Sequence, residues 1–222
     1  METFDYAALR RQMIETIAIH ALHVGNAIGK QGLGNRVMEV MGRVARHEFV
    51  PAELRPHAYI DHPLPIGFGK TISQPFMVAL MTDLLDVQAS DSVLEIGTGL
   101  GYQAAVLADL AEKVYTVEII GELALAARSR LEDLGYANVE VRLGDGSKGW
   151  PEHAPFDKVI VTAAPELVPP SLIMQLKPGG RMVVPAGLKD DQRLMLVEMD
   201  DAGNLKTREV LPVCFSPLVT IH

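Results

Sequence analysis

From residue 91 onward, short apolar runs alternate with helix-length segments, and this alternation constrains the fold more than any other feature of the chain. Strand-like runs fall at residues 92–96, 114–118, 139–143, 158–162 and 181–185, with helical patterns at 102–111, 122–134 and 170–176. Alternating β and α elements with short links predict an α/β fold with a doubly wound, mostly parallel sheet. Two further extended runs, 193–199 and 205–215, are joined by Asp-Asp-Ala-Gly-Asn. That turn-rich link predicts a hairpin, so the sheet is expected to end in antiparallel strands.

The first 75 residues have no place in this alternation. Leu9, Met13 and Ile17, extended by His20 and Val24, mark one face of a helix over residues 5–24. Residues 25–34 hold four glycines and read as a turn or flexible connection, which either makes a subunit contact or packs on its own domain. Val37, Val40, Met41 and Val44 follow helical spacing and form a core stripe on a second helix, which must stop near Pro51. Residues 51–75 contain five prolines and two glycines, so regular structure is not expected there. A long ordered loop in a compact domain is usually functional. Residues 76–86 return to a helical pattern. The 222 residues fit one domain. Within it, 1–75 would supply an N-terminal helical cap and a loop beside the ligand crevice, and 76–222 the α/β core with its C-terminal hairpin.

The sharpest local motif is Val93-Leu94-Glu95-Ile96-Gly97-Thr98-Gly99-Leu100-Gly101, a strand entering a glycine-rich turn ahead of a helix. Glycines there let the backbone bend tightly and let a ligand approach it closely. The third glycine comes one residue too early for the dinucleotide fingerprint Gly-x-Gly-x-x-Gly, and Tyr102 takes the fingerprint's last position. The form Glu-x-Gly-x-Gly-x-Gly is similar to that of class I S-adenosylmethionine-dependent methyltransferases, which have a Rossmann-like fold. In them this turn faces the methionine part of the cofactor. A bare structural turn is the alternative.

Two acids add weight. Glu118 ends the second strand 21 residues after Gly97, where a carboxylate can accept both ribose hydroxyls; otherwise it is a solvated charge at a strand end. Asp145, within Gly144-Asp145-Gly146, follows the third strand, where a carboxylate can take an adenine amino group; otherwise it is a turn former. All three features sit at the C-terminal ends of consecutive strands, the ligand side of open α/β sheets.

A second motif is Pro63-Leu64-Pro65-Ile66-Gly67-Phe68-Gly69-Lys70-Thr71-Ile72-Ser73-Gln74-Pro75. It resembles the signature of the protein-L-isoaspartate O-methyltransferases. Phe49-Val50-Pro51, Tyr59 with Asp61, residues 93–103, Gly144-Asp145-Gly146 and Leu176-Lys177-Pro178-Gly179-Gly180-Arg181 resemble the same family, over roughly residues 34–220. The Thr71–Pro75 block is specific to that family rather than to methyltransferases at large. Departures are Leu100 where Ser is frequent, Phe68 and Lys70 where His and Gln are common, and the residues around Val213-Cys214-Phe215-Ser216-Pro217-Leu218. They bear on substrate preference, not on the reaction.

The resemblance implies methyl transfer from S-adenosylmethionine, leaving S-adenosylhomocysteine, to the free carboxylate of L-isoaspartyl residues in damaged proteins and peptides. It implies Thr71, Ile72, Glu95, Gly97, Thr98, Gly99, Gly101, Glu118, Asp145 and Gly146 as cofactor-binding residues. Ile66, Ser73, Pro217 and Leu218 would bind substrate, with Ser73 as the catalytic residue and no metal. Ser is also a favoured helix cap, so Ser73 either orients the reactant or only caps the helix that starts near Phe76. A carboxylate with a pKa near ~4 is already ionised at neutral pH and needs no general base.

Composition narrows the rivals. A net charge of −8 disfavours a nucleic-acid partner. The one cysteine, Cys214, excludes an intrachain disulfide and a Cys-rich metal site, points to a reducing cytoplasm, and reads as a small apolar filler. The N-terminal residues are acidic where a signal peptide would be basic, and no apolar run approaches the ~20 residues of a membrane span. His20 and His23 lack acidic or cysteine neighbours in sequence, so a metal site is not expected. His57 and His62 either line the loop or sit at the surface. A methyltransferase for a small molecule or RNA has no reason to carry Thr71–Pro75, and a non-catalytic module would have lost Glu95, Glu118 or Asp145. A monomer is the expected state.

Overall fold

The computed structural model describes residues 4–221. Helix α1 (Tyr6–His23) begins where the Asp5 carboxylate accepts the Ala8 N–H at 2.9 Å, and it buries Met13, Ile17 and Ala21. A short helix, α2 (Gly25–Ile28), lies inside the segment expected to be only a turn. Asp83 ties this segment to its own domain, pairing with Lys30 and accepting the Gly34 N–H at 2.7 Å. Helix α3 (Asn35–Arg43) buries Val37, Val40 and Met41, and Val44 just past its end is buried too. It stops well before Pro51, and the chain continues as 3-10 turns at Arg46–Phe49 and Ala52–His57.

Residues 51–75 carry more regular structure than their prolines suggest. Strands β1 (Leu64–Gly67) and β2 (Lys70–Ile72) pair antiparallel as a small separate hairpin. The prolines and glycines sit where such a hairpin tolerates them. Pro65 lies on a two-stranded ribbon, where a missing N–H is harmless. Phe68 and Gly69 form the two-residue turn with φ of 54° and 65°, the positive values a tight hairpin turn needs. Helix α4 (Pro75–Leu85) follows at once, with Pro75 in its first turn.

The core then alternates: β3 (Ser92–Ile96), α5 (Tyr102–Ala108), β4 (Lys113–Glu118), α6 (Gly121–Asp133), β5 (Val139–Leu143), β6 (Phe156–Val161), α7 (Pro170–Ile173), β7 (Leu176–Leu188), β8 (Asp191–Met199) and β9 (Leu205–Val213). The sheet order is β5-β4-β3-β6-β7-β8-β9. Its first five strands are parallel, as the alternation predicts, and β7–β8 and β8–β9 pair antiparallel, as the hairpin link predicts. One boundary differs. Helix α7 ends at Ile173, and β7 starts at Leu176, which pairs with Phe156 before the ladder resumes at Lys158 and Arg181. The Pro178-Gly179-Gly180 sequence bulges between these pairs instead of ending the strand.

Successive β3 residues feed opposite faces of the sheet. Val93 joins an apolar cluster that continues through Val183, α4 and α5 to Met13 and Met41 of the N-terminal helices. Leu94 and Ile96 join a second cluster with Val159, Met182 and Val184. Both faces are therefore covered, as a parallel sheet requires. The chain reverses its winding at β3, with β4 on one side and β6 on the other, and a ligand crevice is expected at such a switch point.

Candidate functional site

A cleft of about 820 Å³ opens at that switch point. Gly97, Gly99, Glu118 and Gly146 line its floor. Ile66, Thr71 and Ser73 line it from the β1–β2 hairpin, and Pro217 and Leu218 from the C-terminal segment. The sequence-predicted residues thus converge from three distant stretches of chain. Ile72, Glu95, Thr98, Gly101 and Asp145 do not line the cleft. Ile72 is buried beneath the hairpin, and Gly101 starts α5 against Leu131.

The turn after β3 is held closely. Gly97 has φ +97°, and a Cβ there would overlap Oγ1 of Thr162 at the end of β6. The Thr162 hydroxyl donates towards the Ile96 and Gly97 carbonyls, at 3.0 and 2.7 Å, which pins β3 to β6 at the mouth of the crevice. Thr162 also lines the cleft. Its place at a strand end was the one hint of that in the sequence.

Glu118 is already well occupied. Its Oε2 accepts the Gly99 N–H at 2.8 Å, and its Oε1 accepts those of Ile119 and Ile120 at 2.9 and 3.0 Å. A carboxylate offers about four lone-pair directions, so roughly one remains, on Oε2. That direction is free to accept from a ribose hydroxyl. Asp145 is similar: Oδ1 accepts from the Ser147 N–H and hydroxyl at 2.9 and 2.7 Å, and Oδ2 from the Ile221 N–H at 3.1 Å. Burial opposes its ionisation, but the bonds from Ser147 and Ile221 outweigh that and hold its carboxyl below the usual range.

Glu95 lies behind the turn with no exposed surface. The Thr116 hydroxyl donates to its Oε2 at 2.6 Å and is itself 2.6 Å from the Thr98 hydroxyl, while Oε1 has no partner among the described residues. Burial pushes the Glu95 carboxyl up to about 8; the Thr116 bond opposes the rise and the nearby Glu118 charge adds to it. Burial thus favours the uncharged acid at Glu95. Glu95 and Thr98 support the turn from beneath rather than line the cleft, because both are buried and bonded to the Thr116 hydroxyl of the neighbouring strand.

Ser73 lies between β2 and α4 and has no hydrogen-bond partner among the described residues. It does not cap α4. The Phe76 N–H donates instead to Asp61 Oδ1 at 2.7 Å. His20 has a carboxylate neighbour after all, with its Nδ1 2.6 Å from Asp61 Oδ2. Cys214 is exposed on the cleft rather than a buried filler. His62, Lys70, Met77 and Lys189 line the cleft as well, and nothing in their sequence context singled out Met77 or Lys189. Among the described residues no group of three or more His, Cys, Asp or Glu is arranged to hold a metal ion. Among the described residues no helix is long and apolar enough to cross a membrane either.

The cleft fits a nucleoside-bearing cofactor. Its volume falls in the ~300–1,000 Å³ range of small-molecule sites. A glycine turn gives backbone access, and Glu118 keeps one acceptor direction free for a hydroxyl. A profile of the protein family described as protein-L-isoaspartate(D-aspartate) O-methyltransferase (PCMT) matches residues 22–222. Protein-L-isoaspartate O-methyltransferase 1 of Polaromonas sp. is 60% identical, covering 96% of this chain and 91% of its own. Protein-L-isoaspartate O-methyltransferase 2 of Syntrophobacter fumaroxidans is 56% identical, covering 98% and 88%. A solved protein-L-isoaspartate O-methyltransferase superposes with a TM-score of 0.80 at 28% identity; the match covers 94% of this chain and 65% of that longer one. A Plasmodium falciparum protein-L-isoaspartate O-methyltransferase, crystallised with S-adenosyl-L-homocysteine, shares the fold, with a TM-score of 0.77 at 21% identity and coverage of 95% and 98%.

Proposed function

The chain belongs to the protein-L-isoaspartate(D-aspartate) O-methyltransferase family, and from that premise we infer that it transfers a methyl group from S-adenosylmethionine to the free carboxylate of L-isoaspartyl residues in damaged proteins and peptides. The product ester can collapse to a succinimide that reopens partly to normal aspartate, so the role is repair. The observation that carries the assignment of roles is the shared cleft: one space joins the Gly97–Gly99 turn and Glu118 to Ser73.

When bound, S-adenosylmethionine would supply a methyl group on positively charged sulfur, which the substrate carboxylate oxygen would take while sulfur keeps the bonding pair. No proton moves, so the protein needs no general base. Attack of an anion on a cation destroys charge, and a cationic clamp on the carboxylate would favour the ground state over the transition state. Ser73 suits the task as a neutral donor: it holds one carboxylate oxygen in line without that penalty. Ile66, Pro217 and Leu218 form an apolar wall that excludes water around it. Glu118 would accept one ribose hydroxyl, and Asp145, set behind the cleft-lining Gly146, would take the adenine amino group at the edge of the cleft. Gly97, Gly99 and Gly146 would let the backbone approach the cofactor closely, and Thr71 lines the same cleft. Glu95, Thr98, Gly101 and Ile72 shape these contacts from behind. Positioning supplies most of the rate.

The reading includes a monomer in the cytosol. It is supported by residues 25–34 packing on their own domain through Asp83 and by the single cysteine. The deciding experiment offers radiolabelled cofactor with two versions of one peptide, isoaspartyl and aspartyl. Label should appear in a base-labile ester on the isoaspartyl version alone. Equal labelling of both, or of neither, would overturn the assignment.

A further inference from the structure

Asp61 is one of the motif residues that the reaction itself does not use. We propose that it is a positioning residue for methyl transfer, fixing the Ser73-Gln74-Pro75 turn from behind and acting through Ser73 without touching either reactant. The proposal rests on the role given to Ser73 above.

The Asp61 side chain is only 5% exposed and gathers three donors, two from the 74–76 turn and one from α1. Oδ1 accepts the Phe76 N–H at 2.7 Å; Oδ2 accepts the Gln74 side-chain amide at 2.9 Å and lies 2.6 Å from His20 Nδ1. A carboxylate this buried would be costly without such partners, and they are all accounted for. Asp61 does not line the cleft, whereas Ser73 and Gln74 do. On the N-terminal side of Ser73, Ile72 is fixed by its pairing with Leu64 across the hairpin. On the C-terminal side, Asp61 holds Gln74 and Phe76. Ser73 is thus a free hydroxyl on a backbone held at both ends.

Asp61 is held in turn. Arg46 is fully buried, and its Nε donates to the Ala58 carbonyl at 2.7 Å and a terminal nitrogen to that of His62 at 3.5 Å, so it spans the stretch that carries Asp61. Its guanidinium stands 4.9 Å from the ring centroid of Tyr102, the first residue of α5 after the glycine turn. The chain Tyr102–Arg46–(58–62)–Asp61–Gln74 therefore links the cofactor side of the cleft to the substrate side. A reactant misplaced by ~1 Å can cost about 10²-fold in rate.

The alternative is that Asp61 is a helix cap and nothing more. A mutant cycle in the full chain separates the two. Asp61→Asn keeps an oxygen for the Phe76 N–H but presents an amide where Gln74 and His20 donate. His20→Ala removes one partner that lies outside the cleft. Each is made alone and with Ser73→Ala, and kcat, KM for an isoaspartyl peptide, cofactor Kd and Tm are measured. Asp61→Asn should lower kcat about 10–100-fold and His20→Ala less, with cofactor Kd changed by under about twofold. In the Ser73→Ala background, either change should lower kcat by less than about a further twofold. Loss of kcat by the same factor with and without Ser73 overturns the proposal, as does a lower Tm with unchanged kcat. If Asp61→Asn does not fold, the His20→Ala cycle decides by the same criterion. Wild-type turnover by Ser73→Ala alone would instead remove the Ser73 assignment, so the two failures are distinguishable.

Discussion

Ser73 is free for chemistry because another residue does the capping. With the Phe76 N–H on Asp61, Ser73→Ala should leave Tm within a degree or two, about the change expected for a residue with no bond to lose. Turnover of bound substrate should fall by about 10–1000-fold, the loss of a misplaced reactant rather than of a deleted nucleophile. Single-turnover rates and melting curves on the same mutant check this, and a wild-type rate would end the assignment. Glu118 carries a different expectation, because it serves the fold and the ligand together. Glu118→Ala removes the free acceptor direction and also strands three backbone N–H groups. Cofactor affinity should fall about 10–100-fold, the worth of one charge-assisted hydrogen bond, and Tm should drop as well. Calorimetry that found unchanged affinity in a folded Glu118→Ala protein would remove the ribose assignment.

The strand–turn–helix unit of β3 and α5 behaves as one piece, and Gly97 is where it meets β6. Gly97→Ala would force a Cβ into Thr162 at a φ of +97°, so the turn must shift or β3 must part from β6. Cofactor affinity is expected to fall by more than about tenfold, with stability lowered by roughly 1–3 kcal/mol from the strained backbone. Near-normal binding by this variant would mean that the turn is not the ligand's seat. Elements of this kind are legible in sequence because buried parallel strands must be apolar runs and their turns must be glycine-rich. The hairpin at 64–72 was not legible. Its prolines and glycines read as breakers until pairing shows which N–H groups are needed. The β7 bulge over Pro178-Gly179-Gly180 was missed for the same reason. In the site, the motif marked Glu95 by its position along a strand, but position does not reveal burial, and the structure turns its side chain away from the cleft. Lys189 and Cys214 reach the cleft from the β7–β8 turn and the segment after β9, through long-range packing that no local pattern encodes.

At the scale of the whole molecule these buried charges set how stability responds to pH, and they oppose one another. Asp157 resists the effect of burial because Lys177 donates to both its oxygens, at 2.9 and 2.8 Å, and the Ser92 N–H donates at 2.8 Å; its carboxyl, like that of Asp145, is held below the usual range. Stability from these depressed groups is present above the unfolded carboxylate value and is lost as pH falls through the folded one, which defines the acid limb. Burial pushes the His47 imidazole down, so its contribution is likewise lost on acidification, below the ordinary histidine range. Glu95 has the opposite sign. Its folded pKa, about 8, lies above the ordinary 4.5, so the native state holds its proton more tightly than the unfolded chain does. Its contribution is fully present below pH 4.5, erodes as pH rises from there, and is gone above about 8. The slope over that window approaches about 1.4 kcal/mol per pH unit, and the whole loss is of the order of a few kcal/mol. Glu95→Gln keeps an acceptor for the Thr116 hydroxyl but cannot ionise. Denaturant unfolding of both proteins at several pH values between about 5 and 8.5 isolates the effect, because every other group cancels in the difference. The mutant should gain on the wild type steadily as pH rises, and the gain should level off above about pH 8. A constant difference across the range would mean that Glu95 is ionised in the folded protein, and that the unpartnered Oε1 beneath the turn carries a charge rather than a proton.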